Sequence, residues 1–264
     1  MLRKLIKVAG RARQVPHDQA AHARLTAERW GLSLRPPDGP RRGRILAYHS
    51  VGTRAWGIND VSPARFEQHL QIAVDDGWTF ATTDDVLAAP DLPRLAITFD
   101  DGLASVLHNA IPVLRHHGIP ATMFVVTGWA DGDHPDGHRD VLDWRGVDAL
   151  RNSGVRIANH SVSHPDFGRL PVGEIRRELE VSRHRLHQAG IDSDEFAIPF
   201  GQSRNWPASA AAIAAEVGFT HVYAQAVETR PPDTIPRTFV TRVDRPRLFR
   251  AALAGAYDRW EEWF

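Results

Sequence analysis

The stretch from Leu95 to Gly102 constrains this chain most, because it places two adjacent carboxylates directly after an apolar run. Residues 95–99 have the composition of a buried parallel strand, so Asp100 and Asp101 are predicted to follow its carboxyl end. In folds that alternate strands and helices, that end of the sheet is where ligands and catalytic groups collect. Taken by itself, the Asp-Asp-Gly sequence is also typical of a turn in which the second Asp caps a helix.

Two later stretches favour a polar pocket over a simple turn. A second predicted strand, residues 155–159, runs into His160 and His164, which flank one short turn. Neutral imidazole is the commonest metal ligand, and two histidines this close can reach one ion. A third predicted strand ends at Pro199 and Phe200, where backbone N–H groups beyond the proline are available to a ligand oxyanion. The chain therefore predicts carboxylates, imidazoles and backbone donors at three strand ends.

These motifs resemble those of a known family. In chain order they are Thr98-Phe99-Asp100-Asp101-Gly102, His160-Ser161-x-x-His164 and Pro199-Phe200-Gly201. They resemble the first three motifs of the NodB-type polysaccharide deacetylases, carbohydrate esterase family four, in the family's order and at similar separations. The resemblance covers roughly residues 44 to 245. It implies an α/β fold, a distorted (β/α)7-8 barrel of the NodB-type deacetylase kind.

The resemblance also implies a role for each motif. Asp100 takes the place of the general base that accepts a proton from water. Asp101, His160 and His164 take the places of the ligands to one divalent transition metal, with Zn²⁺ expected. The backbone N–H of Phe200 takes the place of the donor that helps to hold the oxyanion.

The group that protonates the leaving amine is left open by these motifs. Many members of the family carry an arginine ahead of the proline of the third motif and a histidine in a later Leu-x-His motif, and this chain has neither. Residues 45–50 resemble the Tyr-His entry strand of one deacetylase branch, which would place His49 near the site. A hydrogen-bonded histidine under a loop explains His49 equally well. His49 and His221 are the candidates for the general acid.

Composition excludes several classes of protein. The 264 residues carry no net charge and are 42% hydrophobic, which is unlike a disordered chain or a polyanion-binding surface, so no nucleic acid partner is expected. The chain has no cysteine, so disulfides and thiolate metal ligands are excluded. Any metal site must use histidine and carboxylate.

The N-terminal segment differs from the rest. Residues 1–44 contain eleven Lys/Arg against three acidic residues, and residues 1–13 have a short amphipathic pattern. We predict a basic helical extension over 1–43 and a deacetylase domain over 44–264. The extension is either a solvated helix packed on the barrel or a weak membrane-surface contact through residues 1–13. The apolar run is too short for a signal peptide or a transmembrane span, so a cytoplasmic location, peripheral at the membrane in the second case, is expected.

The function expected from these features is metal-dependent hydrolysis of N-acetyl groups on an amino-sugar-containing carbohydrate. The chemistry fits the residues, because a metal with three protein ligands lowers the pKa of bound water to about 7 and polarises a carbonyl. Two alternatives stay open at this point. One is hydrolysis of a non-sugar amide on the same site, and the other is a catalytically inactive carbohydrate-binding protein.

Overall fold

The computed structural model describes residues 23–34, 41–135 and 140–260. Ten strands and a series of helices alternate along these residues. The strands are β1 (Arg44–Tyr48), β2 (Ser50–Val51), β3 (Asp60–Val61), β4 (Thr79–Phe80), β5 (Arg94–Phe99), β6 (Ala121–Val125), β7 (Arg156–Asn159), β8 (Glu195–Ala197), β9 (His221–Gln225) and β10 (Ile235–Phe239). The helices are α1 (described over 23–32), α2 (Pro63–Asp75), α3 (Thr83–Ala88), α4 (Ile111–His116), α5 (Thr127–Ala130), α6 (Trp144–Asn152), α7 (Val172–Gln188), α8 (Ala208–Val217) and α9 (Pro246–Leu253).

Seven of the strands close into a parallel barrel. They pair in the order β1, β10, β9, β8, β7, β6 and β5, and β5 pairs again with β1 in the register Leu46 to Ile97. Strand β4 adds only to the start of β5, and β2 and β3 form a separate two-stranded sheet. The predicted distorted (β/α) barrel is confirmed, with seven strands in the ring. Because all seven run in parallel, their carboxyl ends meet at one mouth.

Alternation along each strand divides the apolar residues between two cores. On β5, Leu95, Ile97 and Phe99 belong to the large cluster that includes helix residues, whereas Ala96 belongs to a small cluster with residues from five other barrel strands. A group drawn from six strands can only meet inside the barrel. Its buried members on the strands are Ile45, Ala96, Phe124, Ala158, Ala197 and Tyr223. Inward positions are therefore known for each strand, and the next inward residue after β5 is Asp100.

The described part of the N-terminal extension packs on the barrel. Helix α1 buries Leu25 and Arg29, and the Arg29 guanidinium contacts the Asp244 carboxylate and donates to the Phe239 carbonyl at 3.0 Å. It also lies 4.8 Å from the centre of the Tyr257 ring. Residues 1–13, for which an amphipathic helix is predicted, lie outside the described residues. The predicted boundary between the N-terminal extension, residues 1–43, and the deacetylase domain, residues 44–264, stays a prediction.

None of the helices in the described ranges has both the length and the apolar composition needed to cross a bilayer.

Candidate active site

Both carboxylates of the central motif face the mouth of the barrel. Asp100 continues the inward alternation of β5, while Asp101 has φ of 73°, in the left-handed region. Strict alternation would have directed Asp101 to the outside, and the left-handed turn brings it back. Both residues are almost fully buried, with side chains about 3–4% exposed. A turn that only capped a helix would leave these oxygens in solvent.

Asp101 meets the two motif histidines. The Nε2 atoms of His160 and His164 each lie 3.6 Å from Asp101 Oδ1, and one ligand atom from each residue lies within 4.8 Å of the others. His160 Nδ1 is 2.8 Å from the Ala197 carbonyl, which requires the proton on Nδ1 and leaves the Nε2 lone pair directed at the cluster. Asp101 Oδ1 is buried without a hydrogen-bond partner. Two imidazoles and an unpartnered carboxylate oxygen converging on one point form a suitable cation site.

The electrostatics of this cluster also favour a cation. Burial, and then the charge of Asp100, raise the pKa of Asp101 well above its ordinary value. Burial lowers the pKa of His160, and burial together with His160 lowers the pKa of His164 well below its usual range. Both imidazoles are therefore neutral, as metal ligands must be. A carboxylate that resists ionisation when alone is stabilised in its ionised form by a cation.

Asp100 is held by an arginine that sequence analysis did not identify. Arg237 on β10 contacts it through two arms, Nη1 to Oδ1 at 2.6 Å and Nη2 to Oδ2 at 2.8 Å, and both side chains are buried. Burial alone would raise the pKa of Asp100, but the adjacent guanidinium outweighs it and holds this pKa well below its usual value. The signal for Arg237 in the sequence is its inward position between Ile235 and Phe239, because an arginine inside a barrel requires an anionic partner.

His49 lies in the same pocket, and His221 does not. His49 follows β1, is 7% exposed, and packs against the Phe239 ring with the ring centres 4.7 Å apart. Its Nδ1 is buried without a partner, and burial lowers its pKa to about 4. His221 begins β9 and therefore lies at the opposite end of the barrel, where its Nδ1 is 3.2 Å from Asp194. The structure thus brings only one of the two acid candidates to the site.

Phe200 lies at the edge of the pocket. Its φ of 64° is left-handed, its side chain is 51% exposed, and its ring packs edge-on against His164 with the centres 4.7 Å apart. Among the backbone hydrogen bonds of the described residues, the Phe200 N–H is not a donor. The strand end thus leaves this donor available beside a metal-ligand candidate.

Aromatic side chains make up much of the remaining wall. The cavity has a volume of about 360 Å³, and Trp56, Trp129, Phe200 and Phe239 line it. The ring centres of Trp56 and Trp129 are 6.2 Å apart, and those of Trp129 and His164 are 5.6 Å apart. Trp129 lies on α5, and Trp56 lies on the connection between β2 and β3. Each tryptophan comes from a connection whose path only the folded chain defines.

Comparison with known proteins identifies relatives of this chain. The family model described as polysaccharide deacetylase matches residues 88–222. A putative polysaccharide deacetylase, YxkH of Bacillus subtilis, is 25% identical over 150 residues, which are 54% of this chain and 51% of that protein. A chitooligosaccharide deacetylase of Rhizobium leguminosarum bv. trifolii is 32% identical over 103 residues, 39% of this chain and 43% of that protein. The chain thus spans about half or less of the length of these relatives.

Solved structures show the same fold. A Streptococcus pyogenes deacetylase, PplD, in complex with acetate superposes with a TM-score of 0.67 at 20% identity, covering 81% of this chain and 99% of that one. IcaB from Ammonifex degensii gives a TM-score of 0.67 at 22% identity, and the superposition covers 81% of this chain and 97% of that one. At these identities the likeness shows the barrel and not the chemistry.

Proposed function

The chain belongs to the polysaccharide deacetylase family, and from that premise we propose that it is a metal-dependent hydrolase that removes N-acetyl groups from an amino-sugar-containing carbohydrate. One observation carries the proposal. Three ligand atoms, from Asp101, His160 and His164, converge within 4.8 Å of one another beside the ionised Asp100, in an aromatic pocket. This arrangement supplies a cation site and a base to one reacting centre.

The residues present fit a transition metal of the zinc class. Two neutral imidazoles and one carboxylate are a usual set for catalytic zinc, whereas Mg²⁺ and Ca²⁺ prefer oxygen ligands alone. Asp101, His160 and His164 would hold the ion. When bound, such an ion polarises the amide carbonyl and makes water more acidic.

Asp100 supports hydrolysis as the general base. Its carboxylate accepts a proton from the attacking water while the water oxygen bonds to the carbonyl carbon. Arg237 keeps this carboxylate ionised and fixes its plane through two hydrogen bonds, 2.6 and 2.8 Å long. The guanidinium also lies 5.0 Å from the Phe124 ring centre, so its own position is fixed by the barrel interior.

Phe200 and His49 complete the reaction. The Phe200 N–H donates to the oxyanion that forms on the acetyl oxygen. The carbon–nitrogen bond then breaks, and the leaving nitrogen needs one proton. Because the pKa of His49 is about 4, its ring is neutral in the free protein, so we propose that His49 relays the proton taken up by Asp100 to that nitrogen. The products are a free amine and acetate.

The pocket walls suit a sugar ring. The faces of Trp56, Trp129 and Phe200 offer apolar contact to the C–H faces of a pyranose, and the amide of Asn59 lies among them. Asn59 Oδ1 is buried without a hydrogen-bond partner, which suits a hydroxyl or acetamido N–H donor from the substrate.

Acetate release tests the proposal. Purified protein is analysed for metal and incubated with N-acetylglucosamine oligomers, and acetate is measured enzymatically. We expect stoichiometric transition metal and acetate release that His160→Ala abolishes together with the metal. Turnover of non-sugar acetamides but not of the oligomers would favour the amide alternative. Oligomer binding without acetate would favour an inactive carbohydrate-binding protein.

Two expectations from the N-terminal segment remain part of the proposal. Residues 1–13 carry basic side chains beside an apolar stripe, each worth about 1 kcal/mol near anionic lipid, so weak membrane-surface contact is proposed. A cytoplasmic location is proposed with it, and cell fractionation tests that. Deleting residues 1–13 keeps Arg29 in place, so the deletion should reduce co-sedimentation with anionic vesicles and leave the fold intact. Unchanged co-sedimentation would reject membrane contact.

A further inference from the structure

A buried carboxylate lies behind the turn that carries both histidines. Glu178 on α7 is 6% exposed. Its Oε2 accepts from the Val162 N–H at 2.8 Å and the Ser163 N–H at 3.0 Å, and its Oε1 accepts from the Ser163 hydroxyl at 2.8 Å. The three donors belong to the residues between the two histidines. Glu178 therefore holds the middle of the turn from helix α7.

The turn needs support because its backbone is unfavourable. Ser161 and His164 have φ of 70° and 58°, a region that side chains other than glycine rarely occupy. Local bonds hold its ends, since Asn159 Oδ1 accepts from the Ser161 N–H and Ser161 Oγ accepts from the His164 N–H. The two central amides are bonded to Glu178 alone among the side chains described. Without it, these two partly buried N–H groups would lose a charged acceptor fixed by the protein.

Helix α5 holds the same turn from another side. The Thr127 N–H donates to the Ser161 carbonyl at 3.0 Å and the Gly128 N–H to the Val162 carbonyl at 2.8 Å. A Cβ on Gly128 would lie 2.5 Å from that Val162 oxygen, so only glycine permits this approach. Carbonyls of the turn are thus bonded to α5, while its amides are bonded to Glu178.

Glu178 forms no ion pair with another described residue. Its negative charge is balanced by hydrogen bonds from the turn, which are charge-assisted and stronger than neutral ones. It also lies inside a 17-residue helix that packs on the barrel, so the acceptor is fixed independently of the site. The turn is held in place by the fold itself.

We propose that Glu178 is a positioning residue that presets the histidine turn for metal binding, placing His164 Nε2 beside Asp101 before any ion arrives. The inference rests on the proposed function, because it takes Asp101, His160 and His164 as the ligands. Loss of such an outer hydrogen-bonding partner typically costs roughly 10- to 100-fold in metal affinity. The loss would then appear in metal binding and not in the proton chemistry of Asp100.

The test compares four variants with the wild type. Affinities for Zn²⁺ are measured by competition with a chromogenic chelator, and the Co²⁺-substituted proteins are compared by visible absorption. Glu178→Ala removes all three bonds, Glu178→Asp withdraws the carboxylate by one methylene, and Glu178→Gln keeps an acceptor for the two amides. Glu180→Ala is the matched control, because Glu180 lies two residues along the same helix and pairs with Arg176 in solvent.

We expect Zn²⁺ affinity to fall roughly 10- to 100-fold in Glu178→Ala and less in Glu178→Asp, with Glu178→Gln close to the wild type and Glu180→Ala unchanged. The Co²⁺ spectrum should change in Glu178→Ala, and its turnover should recover at saturating metal. Wild-type affinity and spectrum in a folded Glu178→Ala would overturn the inference. If Glu178→Ala does not fold, Glu178→Asp decides, and unchanged affinity there overturns it. A wild type that binds no metal would instead reject the proposed function itself, and this inference with it.

Discussion

Both ends of the barrel bury charged residues, but the hydrogen bonding of the buried polar atoms differs between the two ends. At the starting ends of the strands, Glu195 accepts from the Tyr223 hydroxyl at 2.6 Å and from Thr83 at 3.3 Å. Arg156 approaches the same carboxylate at 3.5 Å and pairs with Asp84 through two arms, 2.9 and 2.7 Å long. At the mouth, Arg237 likewise pairs with Asp100 through two arms. Beside that pair, Asp101 Oδ1 and His49 Nδ1 are buried without partners.

This difference in hydrogen bonding distinguishes charged groups that stabilise the fold from charged groups that are available to a ligand. Burying polar atoms with all their bonds made closes the base of the barrel at little net cost, whereas each unpartnered buried atom costs stability. The mouth also carries left-handed backbone at Asp101, His164 and Phe200. Unpaired atoms and strained backbone at the mouth are what the proposed function requires of a site that its ligand completes. Substitutions at the two ends should therefore act on different properties.

The largest expected effect is on turnover at the mouth. Asp100→Asn should lower acetate release by roughly 10²- to 10⁴-fold, the usual scale for loss of a general base, while bound metal stays near the wild-type level. Steady-state kinetics and elemental analysis measure the two quantities. Asp84→Asn at the base is the control and should leave turnover unchanged. An empty metal site in Asp100→Asn would mean that the roles of Asp100 and Asp101 are exchanged.

The second effect is on stability, and it compares the two arginines. Arg237→Met leaves Asp100 as an unpaired buried charge beside Asp101, so the free energy of unfolding should fall by about 3–5 kcal/mol. Arg156→Met breaks a pair with Asp84 whose side chains are 41% and 57% exposed, and solvent screening limits that loss to about 1 kcal/mol or less. It also removes the longer contact to Glu195 at 3.5 Å, but Glu195 keeps the hydrogen bonds from Tyr223 and Thr83, so the total should stay below the loss in Arg237→Met. Denaturant unfolding without added metal measures both. Equal losses would show that the two ends do not differ in this way.

The third effect is expected at the base of the barrel, where a substitution should lower stability and leave turnover unchanged. Glu195→Gln disturbs the base network, so the free energy of unfolding should fall by about 1–3 kcal/mol. Acetate release by the folded protein should not change, because Glu195 lies at the other end of the barrel from the pocket. Denaturant unfolding and kinetics on the same preparation test this. A loss of turnover in the folded variant would contradict the separation.

The smallest effect concerns the aromatic wall. Trp56→Leu removes a flat surface but keeps an apolar side chain, so KM for acetylated oligomers should rise with little change in kcat. Trp30, an exposed tryptophan on α1, provides the control as Trp30→Leu. If kcat falls instead and KM stays, Trp56 acts on the transition state and not on sugar binding.

Much of the site could be predicted from the sequence because its signals are local. Asp100, Asp101, His160 and His164 each follow an apolar run at a strand end, and parallel strands bring such ends together. The barrel class was implied by the resemblance of these motifs to the deacetylase family. His221 shows the limit of this reasoning, since it is the first residue of β9 and therefore lies at the starting end of the barrel strands, away from the pocket.

Only the tertiary structure decided which groups pair. Arg237 is 137 residues from Asp100 in the chain, and Glu178 reaches the histidine turn from a helix that shows no distinctive motif. Alternation predicts which face of a strand a residue occupies, but it cannot predict the partner across the barrel. The left-handed backbone of Asp101 likewise follows from contacts around it and not from its residue type. Local pattern therefore determined where the chemistry lies, and long-range packing determined how each group is held, because the energy of a buried charge depends on its neighbours in space.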